Sequence, residues 1–587
     1  MKFIKYVFAS LVALILFMGI FFLFFVGLIG SALSSGSDAE ESKALTSDYI
    51  LSIELDQAIV DYAEENPFDE LGIDIPELNA EFPMGLNDVL NSIASAKEDK
   101  RIKAIYLDMG AVQAGSATLS EIRQALENFK SSGKNVYAYA QVYSQKAYYL
   151  ASVADKVLLH PEGDMELKGL ATQLLFFKDF LNQFGVSPQV IRHGKFKSAV
   201  EPFLVDQMSE ANREQTSTLL NSIWASFAKD ISTSRSILVE ELNTIVDNFE
   251  LKSPQDAKRL NFVDELMYFD EFEKLLETDL EDELDFISIN KYKKRIQPNK
   301  AKDKVAVVFA EGEIRSGKSS NGVMGDETIV KAIRAAKKNE HVKAVVLRVN
   351  SPGGSALASD VIWRELSLLK EEKPLVVSMG NLAASGGYYI ACVGDKIFAQ
   401  SNTITGSIGV FGLMFEAQNL VEDKLKLHVD GYKTHQFADI GTMLRPLNTE
   451  ERDLIQGMVE RVYGTFIGNV AKGRDMSVED VDAIGQGRVW AGADAVSIGL
   501  VDEIGGLKQA IAEAANLGNL DQYSIQNYPK QDLGGFDFLF KGMSTLVGTQ
   551  TPSVLNHPML KKSIQSIENI TKNDNVQARM PFDLYVY

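Results

Sequence analysis

The chain has 587 residues, of which 45% are hydrophobic and 24% are charged, so it is long enough for two or more globular domains. Its formal net charge of −21 argues against binding to a nucleic-acid backbone, which requires clustered Lys and Arg. The single cysteine, Cys392, cannot form an internal disulfide, and the sequence contains no CxxC, HExxH or paired-histidine motif. We therefore expect no metal site and no cofactor.

The first predicted element is a membrane anchor. Residues 6–33 carry no charge and, at about 1.5 Å per residue, are long enough to cross a hydrocarbon core of roughly 30 Å. A cleaved signal peptide is the alternative, but its apolar core is usually much shorter. Lys2 and Lys5 precede the segment, which predicts a cytoplasmic N-terminus and a single-pass anchor over 1–35. The rest of the chain would then lie on the extracytoplasmic side, after a polar linker over 36–46.

Beyond the linker the chain repeats itself. Residues 86–107 align without gaps on residues 326–347, a shift of 240 (326 − 86). The same shift superposes YYLASVADKV, from Tyr148, on YYIACVGDKI, from Tyr388. A period this long indicates duplicated domains rather than a solenoid. We predict a first copy over 47–300, a second copy over 301–530, and a tail over 531–587 that has no counterpart and to which we assign no role.

Each copy alternates short β-branched runs with helical patterns. KVAVVFAEGEI and KAVVLRVN are typical of buried strands, and SDVIWRELSLLKEE is typical of an amphipathic helix. Buried parallel strands need crossover helices, so the fold class is α/β.

The second copy contains two features that the first lacks. Gly353 and Gly354 follow a predicted strand, where the first copy has Gln113 and Ala114, and such a loop can turn backbone N–H groups toward an anion. Ser385 precedes Gly386 at the start of a predicted helix, where its hydroxyl could act as a nucleophile. The alternatives are a tight strand–helix turn and an ordinary N-cap serine.

A serine nucleophile needs a base, and the histidines do not supply an obvious one. Among the six, only His435, with Asp439 four residues later, lies in a polar stretch downstream in the same copy, and a surface position is the simpler interpretation. Lys197, in IRHGKFKSAVEPF of the first copy, is another candidate. A lysine serves as a base only if burial lowers its pKa by several units, and most lysines are solvated.

Four motifs together carry a resemblance to a known family. GKFKSAVEPF, RVNSPGGS, ASGGYYIA and TGSIGVFG occur in this order on a duplicated chain behind one apolar segment. The sequence resembles the long, two-domain form of the signal peptide peptidase A family, also called protease IV, from the anchor to about residue 515. The resemblance implies tandem domains of the Clp protease/crotonase fold, a membrane-tethered serine protease acting on remnant signal peptides and other apolar peptides, and a homotetramer.

The resemblance also implies roles for individual residues. Ser385 matches the nucleophile and Lys197 the general base, so that each copy would supply half of a Ser-Lys dyad. Ser407 matches a serine that orients the lysine. The predicted oxyanion hole is formed by these glycines: Gly353, Gly354 and Gly386.

Lys433 is a rival base. It aligns with Lys197 in the second copy, and short one-domain relatives take their base from a lysine about that far past the serine. We favour Lys197, because SAVEPF is missing after Lys433.

Two other functions share some of these features. A crotonase-like acyl-CoA enzyme would have the same fold and glycine loop but would need neither Ser385 nor a membrane anchor. A non-catalytic membrane scaffold would be expected to have lost both Ser385 and Lys197.

Overall fold

The computed structural model describes residues 17, 45, 47–63, 83–282, 284–297, 299–320, 322–530 and 576–580. Apart from Phe17, the predicted anchor lies outside these residues, as does the predicted tail apart from 576–580. Of the predicted linker, only Leu45 is described, and it is buried in the first copy's core. Within the described ranges, no helix combines the length and the apolar character that a membrane span requires.

The strands, numbered along the chain, have the following bounds: β1 Tyr49–Glu54, β2 Ile59–Val60, β3 Met84–Gly85, β4 Ile102–Asp108, β5 Asn135–Tyr143, β6 Lys156–Met165, β7 Ser187–Arg192, β8 Glu265–Leu266, β9 Asp285–Ser288, β10 Lys304–Glu311, β11 Glu313–Arg315, β12 Val323–Gly325, β13 Val342–Ser351, β14 Gly353–Ser355, β15 Leu375–Ala384, β16 Lys396–Ala399, β17 Ile404–Gly406, β18 Phe411–Glu416, β19 Val489–Ala491, β20 Glu503–Ile504, β21 Ser524–Tyr528 and β22 Val576–Arg579.

The α-helices have these bounds: Leu86–Glu98, Ser116–Lys130, Gln145–Ala151, Lys178–Phe184, Glu201–Leu204, Glu210–Arg235, Val239–Asp247, Pro254–Arg259, Phe269–Leu280, Ile289–Lys293, Asp326–Lys338, Ala356–Lys370, Gly386–Ala391, Thr449–Arg474, Val478–Ile484, Gly492–Ser497 and Leu507–Leu517. A 3₁₀ turn covers Ser198–Val200, and a π-helical turn covers Leu420–Lys424.

Each copy is built on its own, largely parallel sheet. In the first copy the strand order is β8-β6-β5-β4-β1-β9, and every pair is parallel. In the second copy the order is β19-β17-β15-β13-β10-β21, with β16 against β15 and β20. Its pairs are parallel except β17 with β19. Both copies therefore contain the same six-strand path, β8-β6-β5-β4-β1-β9 in the first and β20-β16-β15-β13-β10-β21 in the second. This match confirms the predicted duplicated α/β fold.

Corresponding helices of the two copies have equal lengths. The helices Leu86–Glu98 and Asp326–Lys338 both have 13 residues, and Ser116–Lys130 and Ala356–Lys370 both have 15. These helices pack on sheets whose strands are buried along most of their length, as in β10, where the six residues 305–310 are buried. Because these strands are buried on both faces, their sequences are unbroken apolar runs and do not alternate between apolar and polar residues.

A third, mixed sheet joins the two copies. Its order is β12-β11-β14-β22-β18-β7, so it contains one strand of the first copy, four of the second and one of the tail. Strand β7 pairs antiparallel with β18 over six residues, from Phe411 opposite Arg192 to Glu416 opposite Ser187. This pairing brings the chain that leaves β7 beside the chain that enters β18.

A buried ion cluster also joins the copies. Arg348, on β13, lies 2.7 Å from Asp61 and 2.6 Å from Glu121, and both carboxylates belong to the first copy. All three side chains are at most 2% exposed. The pairing matters for the fold because a charge buried without its partner costs several kcal/mol.

Candidate active site

Ser385 sits in a strained turn between β15 and the following short helix. Its φ of 57° and ψ of −114° lie in a region that non-glycine residues rarely occupy. The Ser385 N–H donates to the Gly406 carbonyl at 2.8 Å, and the Ser385 carbonyl accepts from the Tyr389 N–H at 2.8 Å, so both sides of the residue are fixed. The hydroxyl makes no helix-capping bond. Ser385 is therefore not an ordinary N-cap serine, and its strained backbone costs of order 1–3 kcal/mol.

Lys197 of the first copy reaches this serine. Its Nζ lies 2.7 Å from the Oγ of Ser385, 3.0 Å from the Oγ of Ser407 and 3.1 Å from the carbonyl oxygen of Ser407. All three side chains are 0% exposed. The geometry brings together the predicted nucleophile, base and orienting serine, which are up to 210 residues apart along the chain.

Burial lowers the pKa of Lys197. Removal from water lowers the pKa of its ammonium well below the ordinary value. Its hydrogen-bond partners are two hydroxyls and a carbonyl, none of which carries a compensating negative charge. A neutral amine retains a lone pair, so it can accept the Ser385 proton.

Two glycines enclose the lysine. A Cβ placed on Gly487 would lie 2.6 Å from both the backbone nitrogen and the Cβ of Lys197, and one on Gly409 would lie 3.3 Å from its Cδ. Gly487 also has a φ of +83°, which disfavours any side chain. The backbone at both glycines therefore packs directly against Lys197.

The loop that carries Lys197 is held by Gln215. The Gln215 amide donates to the Phe196 carbonyl at 3.0 Å and to the Ser198 hydroxyl at 2.8 Å, which fixes the residues on both sides of Lys197. Gln215 itself is buried, on the 26-residue helix Glu210–Arg235. No sequence motif singled out Gln215, although it lies only 12 residues after the GKFKSAVEPF motif (215 − 203).

The predicted oxyanion glycines are adjacent in space. Gly353 has a φ of +94° and Gly354 a φ of +153°, so both need the freedom of glycine. A Cβ on Gly353 would lie 2.6 Å from the Gly386 nitrogen, so this loop faces the residue after Ser385. The Gly353 N–H donates to the Ser351 hydroxyl at 3.1 Å. The oxyanion role of these glycines stays a prediction.

The other candidates lie away from Ser385. Lys433 is exposed and forms an ion pair with Asp439 at 3.0 Å, and His435 is exposed in the same loop. Cys392 is buried, as is the Tyr388–Tyr389 pair, which packs in the core of the second copy. The rival base therefore does not contact the serine in this structure.

Comparison with known proteins identifies the family. The family model "Peptidase family S49" matches twice, at residues 128–282 and 367–521, and the model "Clp protease" matches residues 296–405. "Protease 4" of Salmonella typhi is 37% identical over 83% of this chain and 80% of its own length. "Protease 4" of Haemophilus influenzae is 36% identical over 86% and 85%, and "Serine protease SPPA, chloroplastic" of Arabidopsis thaliana is 32% identical over 76% and 68%.

These matches cover both copies and most of the length of each relative. They argue against the two alternative functions, an acyl-CoA enzyme and a non-catalytic scaffold. The chain belongs to peptidase family S49, in its long duplicated form, and is a serine protease.

Proposed function

We propose that Ser385 and Lys197 form a Ser-Lys dyad shared between the two copies, with Ser385 as nucleophile and Lys197 as general base. The observation that carries the proposal is the distance of 2.7 Å between Lys197 Nζ and Ser385 Oγ, both fully buried. The lowered pKa of Lys197 supports it, because the neutral amine is the form that acts as a base.

In the first step, neutral Lys197 takes the proton of the Ser385 hydroxyl while Oγ attacks the carbonyl carbon of a peptide bond. The resulting oxyanion is stabilised by backbone N–H groups of the Gly353–Gly354 loop and of Gly386. The C–N bond then breaks as the lysine ammonium returns its proton to the leaving amine, which leaves an acyl-enzyme. Water, deprotonated by the same lysine, releases the acyl group and restores the serine.

Ser407 orients the base in this proposal. Its hydroxyl and carbonyl oxygens lie 3.0 and 3.1 Å from Nζ, so they fix the direction in which the amine lone pair points. Such positioning raises the rate because the proton acceptor is already aligned when the substrate arrives.

The substrates we propose are cleaved signal peptides and other apolar peptides, degraded at the outer face of the inner membrane. The uncharged segment 6–33, followed by an acidic stretch, supports a single anchor that holds the catalytic domains on that side. We also propose that the protein forms a homotetramer, because of its resemblance to the family. We propose no nucleic-acid partner, because the net charge is −21.

Active-site labelling tests the proposal. The detergent-solubilised protein is treated with a peptidyl fluorophosphonate of apolar sequence, and the labelled residue is located by mass spectrometry. We expect the label on Ser385, with loss of peptide hydrolysis, and no label on the Ser385→Ala variant. Labelling of another serine, with activity retained in Ser385→Ala, would contradict the proposal.

A further inference from the structure

A short strand from the C-terminal tail lies inside the mixed sheet. Strand β22 pairs antiparallel with β14, with Gly353 opposite Arg579 and Gly354 opposite Ala578. On its other side it pairs antiparallel with β18. The strand is therefore inserted between the glycine loop and the strand that follows Ser407, two elements of the second copy that are not otherwise joined in this sheet.

The strand passes over the predicted oxyanion loop. A Cβ on Gly353 would lie 2.2 Å from the carbonyl oxygen of Ala578, and a Cβ on Gly386 would lie 3.1 Å from the same oxygen. One peptide carbonyl of the tail thus lies against both glycine Cα positions. The Met580 N–H donates to the Pro352 carbonyl at 2.7 Å, which extends the main-chain pairing by one residue.

The side chains of residues 577–580 are buried. Ala578 is 0% exposed, and Met580 is 5% exposed in the same apolar cluster as Ala384, the residue before Ser385. Arg579 lies 3.5 Å from Glu313 of β11. The segment therefore has a small side chain, an unbranched apolar side chain and a cation paired with Glu313, and all three are buried.

This arrangement is what a bound peptide requires. An extended peptide binds to a sheet edge through main-chain hydrogen bonds, and pockets for alternate side chains supply specificity. A substrate of the proposed dyad must place one carbonyl group between Ser385 and the glycine loop, so it must use the edges of β14 and β18. The tail segment already occupies both edges.

We propose that residues 576–580 are an intrachain ligand of the peptide-binding groove, which competes with substrate for the edges of β14 and β18. The proposal rests on the proposed function of Ser385. It also specifies the substrate class: an extended peptide with a small residue at the position of Ala578 and a long apolar residue at the position of Met580. Because the segment is tethered, its effective concentration at the groove is high, and substrates must displace it.

Steady-state kinetics test the competition. In the detergent-solubilised full-length protein, Ala578→Glu places a carboxylate where the side chain is fully buried, which should expel the segment while Ser385, Lys197 and the residues of the glycine loop are left unsubstituted. For an apolar fluorogenic peptide we expect KM to fall about tenfold or more with kcat unchanged. A second variant that lacks residues 576–587 should behave in the same way. An unchanged KM in these variants, with hydrolysis intact, would overturn the inference.

A synthetic peptide provides the matched control. The peptide NVQARMP, residues 575–581, should inhibit the truncated variant competitively, whereas NVQERMP, with Glu in place of the buried alanine, should not. Equal effects of the two peptides would overturn the inference. A structural strand with no role in substrate binding would not produce competitive inhibition by the free peptide.

Amide hydrogen exchange of the unmodified protein tests the proposal even if both variants fail to fold. In the unmodified protein, the amides of residues 576–580 should be protected, and they should lose that protection when a peptide aldehyde inhibitor occupies Ser385. Protection that persists with the inhibitor bound would contradict the proposal. Activity retained in Ser385→Ala would instead contradict the proposed function, so the two failures are distinguishable.

Discussion

Substitution of Gly487 by alanine should disable the base while Lys197 itself is left unsubstituted. The new Cβ would lie 2.6 Å from the backbone nitrogen of Lys197, where ordinary contact begins at 3.4 Å, so the lysine or the loop must move by about 0.8 Å. A matching displacement of Nζ would lengthen its 2.7 Å contact with Ser385 beyond hydrogen-bond range. The φ of +83° adds a further cost of roughly 1–2 kcal/mol.

We expect Gly487→Ala to lower kcat about 100-fold, because misplacing a catalytic group by roughly 1 Å has an effect of that size. The assay is steady-state hydrolysis of an apolar fluorogenic peptide, with circular dichroism to verify folding. Gly457→Ala is the matched control, since Gly457 lies in the helix Thr449–Arg474 and a Cβ there meets no atom within 4 Å. A folded Gly487→Ala protein whose kcat stays within twofold of the control would refute the reasoning.

Three further predictions concern the base and the contact between the copies. The pKa of Lys197 is lowered by burial, so kcat/KM should rise with pH through that lowered pKa and reach its plateau well below the ordinary lysine pKa; a rise that occurs only near pH 10.5 would contradict this. Ser407→Ala removes one of the contacts of Nζ, and kcat should fall about five- to tenfold with KM unchanged in the peptide assay, as expected for one hydrogen bond. Arg348→Met leaves Asp61 and Glu121 buried without their cation and should lower the free energy of unfolding by about 3–5 kcal/mol, measured as an earlier urea transition.

The duplicated fold could be predicted because its signals are local or periodic. The 240-residue shift aligned the two copies, and the resulting helices repeat in length, as in Ser116–Lys130 and Ala356–Lys370. Apolar β-branched runs identified the buried strands, since strands covered on both faces show no polar alternation.

The partnership of Lys197 with Ser385 could not be deduced from spacing. The two residues are 188 positions apart, and the pairing of β7 with β18, which brings them together, joins short strands of different copies. Only the resemblance to a known family connected them. Taken alone, Lys197 looked like any solvated lysine, because its burial depends on the tertiary approach of Gly409 and Gly487.

The contacts between copies were missed for a similar reason. Arg348 stands in the RVNSPGGS motif, but the sequence did not indicate that its partners are Asp61 and Glu121, more than 220 residues earlier. The sequence did not predict strand β22 either. Its residues have no counterpart in the first copy, and their strand geometry comes from the edges of β14 and β18 rather than from their own pattern.

The most direct test of the central claim compares two aligned lysines. Lys197→Met and Lys433→Met make the same substitution, one at a buried position beside Ser385 and one at an exposed position paired with Asp439. Hydrolysis of an apolar fluorogenic peptide by the detergent-solubilised protein is measured for both. A dyad shared between the copies predicts that Lys197→Met loses activity by at least 100-fold while Lys433→Met retains it. Activity that survives Lys197→Met and is lost in Lys433→Met would place the base in the second copy and contradict the account.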